Sequence, residues 1–146
     1  MDIEAIRSNY RKMNDMQQQA VFHTEGPLLI LAGAGSGKTT VLVNRIAYIL
    51  QCGYAKPWQI LAITFTNKAA AELKERICLN VTDGGADIWA ATFHSVCSRI
   101  LRRFGDRIGY DAHFTIYDTD DQRKVMKDIL KSMSIDEKIL PHRSVL

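Results

Sequence analysis

Residues 32–39 read Ala-Gly-Ala-Gly-Ser-Gly-Lys-Thr, and no other stretch of the chain concentrates so many groups able to hold an anion. The apolar run Leu28–Ala32 leads into the glycines, and Lys38-Thr39 opens a stretch of helical periodicity. Strand, glycine-rich turn and helix in that order make a phosphate-binding P-loop. Glycines let successive backbone N–H groups converge on an anion, and the helix adds its positive N-terminal end. In such a loop Lys38 reaches the β- and γ-phosphates and the Thr39 hydroxyl ligates Mg²⁺. The pattern G-x-x-x-x-G-K-[ST] has Ala32 in its first position, but Gly33 and Gly35 keep flexible points inside the turn. The plain alternative is a glycine-rich loop that happens to precede a helix.

The elements around this loop alternate in period. Leu28–Ala32 predicts a short buried strand, and Thr39–Gln51 a helix with Leu42, Ile46, Ile49 and Leu50 on one face. Gly53 and Pro57 punctuate its exit. Ile60–Phe65 is a second strand run, and Asn67 is placed to cap a helix through Cys78. On that helix Ala70, Leu73 and Ile77 form an inner stripe, with Lys68, Glu72 and Arg76 as a charged ladder outside. Asp83-Gly84-Gly85 predicts a turn, and Ile88–Thr92 a third strand. Ser95–Phe104 is amphipathic, with Cys97, Ile100, Leu101 and Phe104 expected inward. Arg99, Arg102 and Arg103 share its other face, where ordinary solvation is the main reading and phosphate contact the minor one. Buried strands alternating with helices predict an α/β fold with a parallel sheet. Ligands of such sheets bind at the carboxyl ends of the strands, where the P-loop, Thr64–Lys68 and Thr92–Ser95 all fall.

After Gly109 the character changes. His113–Tyr117 predicts a short extended segment. Thr119-x-x-Gln122 reads as a capping box opening a helix with Val125, Met126, Ile129, Leu130 and Met133 on one side. Ser134-x-x-Glu137 is a second cap signal ahead of Pro141. This tail reads as helical and separate from the sheet.

Composition narrows the class. The chain has 146 residues, 47% hydrophobic and 24% charged, as in an ordinary globular domain that can bury a core. No apolar stretch is long enough to span a bilayer and no signal peptide is visible. Cys52, Cys78 and Cys97 are odd in number and lack CxxC spacing, which predicts reduced thiols in a cytoplasmic chain. The scattered histidines form no zinc pattern. A net charge of +3 permits a polyanionic partner without requiring one.

Four blocks in order carry a family resemblance: MNDMQQQAV (13–21), LAGAGSGKT (31–39), ILAITFTNKAAAELKERI (60–77) and TFHSVCSRILRR (92–103). Together they resemble the UvrD/Rep/PcrA group of superfamily 1 DNA helicases, over essentially all of the chain from Met13. The resemblance implies a RecA-like P-loop motor domain over 1–108, its N-terminal half, and the start of an inserted helical subdomain over 109–146. It implies that Gln17 reads the adenine edge, for which a side-chain amide has the right donor and acceptor. Gln18 or Gln19 serves in a shifted register, and locally Asn14-x-x-Gln17 reads simply as a capping box. The implied nucleotide site runs through Ala32, Gly33, Ala34, Gly35, Ser36, Gly37, Lys38, Thr39 and Thr40, with Thr40 where many relatives carry arginine. Thr64, Phe65, Thr66, Asn67 and Lys68 resemble one DNA-contacting block, and Thr92, Phe93, His94 and Ser95 the next. Their hydroxyl, amide and aromatic groups suit phosphates and bases, although Thr and Asn also cap helices and Phe is also a core residue.

The implied activity is that of an ATP- and Mg²⁺-dependent helicase moving 3′→5′ on single-stranded DNA, at a duplex junction. Hydrolysis also needs a carboxylate on Mg²⁺, a group orienting water and an arginine. No apolar strand ends in Asp-Glu; FTIYD ends at Asp118, where helix capping is the simpler role. The chain is therefore expected to bind ATP with little turnover, to need the rest of a helicase chain, and to self-associate through an open sheet edge. The alternatives are a small kinase, a GTPase or a non-catalytic binding module. Asn67-Lys68 is followed by Ala69-Ala70, so the carboxylate of a guanine reader is absent.

Overall fold

The computed structural model describes residues 2–81, 83–136, 140, 141 and 144. Its elements are α1 (Ile3–Ser8), α2 (Asp15–Phe22), α3 (Lys38–Gln51), β1 (Leu61–Thr64), α4 (Asn67–Asn80), β2 (Trp89–Thr92), α5 (Phe93–Phe104) and α6 (Thr119–Ser132). Short 3₁₀ turns occupy Pro57–Gln59, Gly85–Asp87 and Gly105–Ile108. Two compact units divide the chain, Met1–Arg99 and Ile100–Leu146.

In the first unit β1 and β2 pair in parallel, from Leu61↔Trp89 to Thr64↔Thr92. Parallel neighbours need a crossover, and α4 supplies it. Thr66 begins that helix, its Oγ1 accepting the Ala69 N–H at 3.1 Å, so the cap lies one residue before the expected Asn67. Both residue types accept such a bond; the extended backbone of Thr66 decides which one does. Leu73 and Ile77 pack with Ala62, Val81 and Ile88 against Val43, Ile46 and Ala47 of α3. Glu72 pairs with Arg76 on the exposed side.

A second cluster covers the opposite side of α3. Tyr10, Val21, Val41 and Tyr48 are buried there. The rings of Tyr10 and Tyr48 meet edge-on at 5.8 Å, and Phe22 lies 5.0 Å from Tyr48. Helix α3 thus has two apolar faces, which corrects the single expected stripe. Ile46 is in the core, Ile49 and Leu50 are half-buried, and Leu42 is 37% exposed.

The larger correction concerns Leu28–Ala32. The run lies outside any strand, and Leu29 and Leu31 are 81% and 86% exposed. A strand exists through its ladder partners, and among the described residues neither β1 nor β2 pairs with this segment. The sheet is accordingly two-stranded, within a mixed helix and strand architecture.

In the second unit, Tyr110 donates its N–H to the Gly105 carbonyl at 2.9 Å and Leu130 of α6 is buried. Ile100, Leu101 and Phe104, expected inward, are exposed; arginines rather than core cover the Phe104 ring, with the Arg103 and Arg107 guanidiniums 5.3 and 5.2 Å from its centroid. In the expected extended segment His113–Tyr117, His113 lies in a turn and 114–117 are in no helix or strand. Asp118 caps α6, accepting the Asp120 and Asp121 N–H groups at 2.9 and 2.8 Å, one residue ahead of the expected Thr119. Ser134, with φ +56°, follows the end of that helix; the expected capping box Ser134-x-x-Glu137 and the short helix after it reach residues 137–139, which lie outside the described residues. No helix among the described residues is long and apolar enough to cross a membrane.

Candidate nucleotide pocket and nucleic-acid face

The loop ahead of α3 turns as its glycines allow. Gly35 and Gly37 take φ of +75° and +83°. A Cβ at Gly35 would meet nothing within 4 Å, so only its backbone angle demands glycine there. At Gly37 a Cβ would also come within 3.1 Å of Gln17 Nε2. Ser36 Oγ donates to the Gly33 carbonyl at 2.8 Å and fixes the bend.

Gly37 is the N-cap residue of α3 and offers no side-chain acceptor to the helix's first N–H groups. Those donors and the helix dipole face the loop, and together they attract an anion. Lys38 Nζ folds over the same place, donating to the Ala32 and Gly33 carbonyls at 3.2 and 2.6 Å. Thr39 and Thr40 follow in the exposed first turn.

Helix α2 holds Gln17 against this loop. Asn14 and Gln17 form the predicted capping box: Gln17 N–H donates to Asn14 Oδ1 at 2.9 Å, and Asn14 N–H to Gln17 Oε1 at 3.2 Å. The side-chain Nε2 of Gln17 donates to the Ser36 carbonyl at 3.2 Å. Capping and proximity to the loop therefore coexist in one residue, whereas Gln18 bonds back to the Met13 carbonyl. A cavity of about 470 Å³ opens here, lined by Asn14, Gln17, His23, Ile30 and Lys38 among others. Its size suits a nucleotide-sized ligand.

No group of three or more His, Cys, Asp or Glu residues able to hold a metal occurs among the described residues, and the Thr39 hydroxyl expected to meet Mg²⁺ stands exposed in the first turn of α3. One hydroxyl fits an ion that keeps waters and takes its other oxygens from a triphosphate.

The second group of expected residues gathers at the carboxyl end of the sheet, because Thr64 pairs with Thr92. Phe65 is 94% exposed and Phe93 57%, so neither ring is in the core and both are free to stack. His94 lies edge-on to Phe93 at 6.4 Å. Thr66, Asn67, Lys68 and Ser95 are exposed, and the Thr66 hydroxyl is engaged in its cap. Thr92 is buried, its Oγ1 2.9 Å from Ser95 Oγ and accepting the Ser95 N–H at 3.2 Å. It shapes the turn from inside and leaves the neighbouring groups to face solvent.

Two contacts escaped the sequence. Arg45 Nη1 donates to the Ala20 carbonyl at 2.6 Å and ties α3 to α2. Arg99 lies over the Trp89 ring at 4.8 Å. Neither partner stands at a spacing that a helix or strand pattern reveals.

The family profile of the UvrD/REP helicase N-terminal domain matches residues 13–145. The chain is 56% identical over 134 residues to the ATP-dependent DNA helicase PcrA of Bacillus subtilis, covering 92% of this chain and 18% of that protein. It is 59% identical over 126 residues to PcrA of Staphylococcus aureus, covering 86% and 17%. PcrA of Staphylococcus epidermidis is 58% identical over 128 residues, covering 88% and 18%. The chain thus spans less than a fifth of the length of these relatives. With its glycine loop, its Gln17-bearing helix and its paired strand ends all inside the matched region, the chain belongs to the UvrD/REP helicase N-terminal domain family.

Proposed function

We propose that this chain is the ATP-binding front part of an ATP-dependent DNA helicase. The observation that carries it is the start of α3, where uncapped N–H groups, two left-handed glycines and Lys38 converge beside the Gln17 amide. A triphosphate would take the α3 N–H groups and the Lys38 ammonium, and adenine the Gln17 amide. Mg²⁺, when bound through Thr39, would screen the phosphate charges. In this proposal residues 1–108 belong to a RecA-like motor domain and 109–146 to its helical insertion.

Nucleic acid is proposed to run over the carboxyl end of β1 and β2. Phe65 and Phe93 would stack on bases, with Thr64, Thr66, Asn67, Lys68, His94 and Ser95 near phosphates. Binding of single-stranded DNA by this chain should be weak and should fade as salt rises. The parent's translocation is proposed as 3′→5′. This chain itself should turn ATP over very slowly, because among the described residues no strand ends in the carboxylates that a Mg²⁺-dependent hydrolysis site needs. We also propose that the chain self-associates through an open sheet edge, with the exposed apolar run 28–32, in no strand among the described residues, as a further surface for it.

Calorimetric titration with Mg-ATP and Mg-GTP tests the reading. ATP should bind more tightly than GTP, Gln17→Ala should remove that preference, and hydrolysis should be nearly undetectable. Equal affinity for both nucleotides, or rapid turnover by this chain alone, would overturn it.

A further inference from the structure

Resting on the adenine assignment above, we infer that Arg45 is a positioning residue that sets the place of Gln17 through the far end of α2. Helix α2 has only eight residues, and Val21 is its one buried residue. A helix so short depends on tertiary contacts, here the packing of Val21 and Phe22 on the Tyr10–Tyr48 cluster and a polar tie near each end. At its N-terminal end the tie is Gln17 Nε2 to the Ser36 carbonyl, 3.2 Å. At the other end the backbone turns extended at His23, so the Ala20 carbonyl lacks the helical partner that Thr24 would have supplied. Arg45 Nη1 fills that vacancy at 2.6 Å. A guanidinium on a last-turn carbonyl is both a hydrogen bond and a charge at the negative end of the helix.

The register of α3 makes this tie consequential. Arg45 follows Lys38 by seven residues on one helix, hence two turns along the same face. Phosphate and adenine contacts are therefore referred to one rigid rod: Lys38 rides on α3 directly, and Gln17 rides on α2, which Arg45 clamps to α3. Loosening the clamp should shift the Gln17 amide while leaving the phosphate loop as it is. Base discrimination should suffer, and triphosphate affinity should not.

The experiment compares wild type, Arg45→Met, Arg45→Lys and Gln17→Ala for binding of ATP, GTP and inorganic tripolyphosphate. Met keeps the apolar stem without the donor, and Lys keeps a donor. Arg45→Met should cut the ATP-over-GTP ratio by about tenfold, as misplacing a two-bond base contact would. Tripolyphosphate affinity should stay within about twofold of wild type, and Arg45→Lys should recover part of the ratio. A wild-type ratio that survives in Arg45→Met overturns the inference and leaves the adenine assignment standing. Loss of tripolyphosphate binding in both variants also overturns it, by making Arg45 a packing residue for the whole site. If wild type itself does not prefer ATP, the adenine assignment falls first and the inference falls with it.

Discussion

Lys38 turns back onto the loop that precedes it, its ammonium donating to the Gly33 carbonyl oxygen at 2.6 Å. The same ammonium is the one positive side chain in the loop, so a bound triphosphate must draw it away from Ala32 and Gly33. Lys38→Ala should therefore weaken Mg-ATP binding by about 2 kcal/mol, roughly thirtyfold, the value of one charge-assisted hydrogen bond. Thermal stability should hardly change, since the contact is exposed. Calorimetry and a melting curve on the same variant check both halves.

Tyr10 carries a pH dependence. Its phenol donates to Gln51 Oε1 at 3.0 Å, and burial first, then Cys52 and Tyr48 nearby, push it up to about 12. The folded chain thus favours the neutral phenol. Its contribution to stability is complete below the ordinary tyrosine value, about 10, and is lost as pH rises from there to about 12. Urea unfolding across that range should show stability falling in wild type and falling less steeply in Tyr10→Phe. Tyr48, also raised by burial, should supply the residual slope. At neutral pH Tyr10→Phe should cost about 1 kcal/mol for the lost hydrogen bond.

At the end of α6 a serine does what glycine does better. Ser134 has φ +56°, while Ile135 N–H donates to the Leu130 carbonyl at 2.9 Å and Ser134 N–H to the Lys131 carbonyl at 3.1 Å. This is the left-handed stop of a helix, and an L side chain there costs about 1 kcal/mol relative to glycine. Ser134→Gly should protect the last-turn amides of α6 more strongly against hydrogen exchange. Unchanged or weaker protection would show that another contact holds this stop.

How far the sequence was legible depends on how local each cause is. The Asn14–Gln17 capping box and the Leu73–Ile77 stripe arise within one helix, and their spacing announces them. Caps slipped by one residue at Thr66 and Asp118 because neighbouring residues had equal chemistry and only the backbone angle separated them. The second face of α3 was hidden, since Tyr48 is buried by Tyr10 and Phe22 from a different part of the chain. The Arg45–Ala20 tie was invisible in principle: its acceptor is a backbone carbonyl, which every residue has. Phe65 and Phe93 were ambiguous between core and surface until their exposure was known.

The run Leu28–Ala32 departs from its pattern for a different reason, the want of a ladder partner among the described residues. Its alternation is that of a strand: Leu29 and Leu31 are 81% and 86% exposed, Leu28 and Ile30 40% and 42%. The apolar pattern is present and, among the described residues, the ladder partner is not. Such an exposed apolar run is covered most readily by an identical run, and a second copy of this chain carries one. Sedimentation of wild type should show a dimer growing with concentration. Leu31→Lys replaces an exposed apolar side chain by a charge and should hold the chain monomeric, because a lysine at such a surface opposes its pairing with a second copy. A wild-type chain that stays monomeric at high concentration would mean that the exposed leucines alone do not recruit a partner strand.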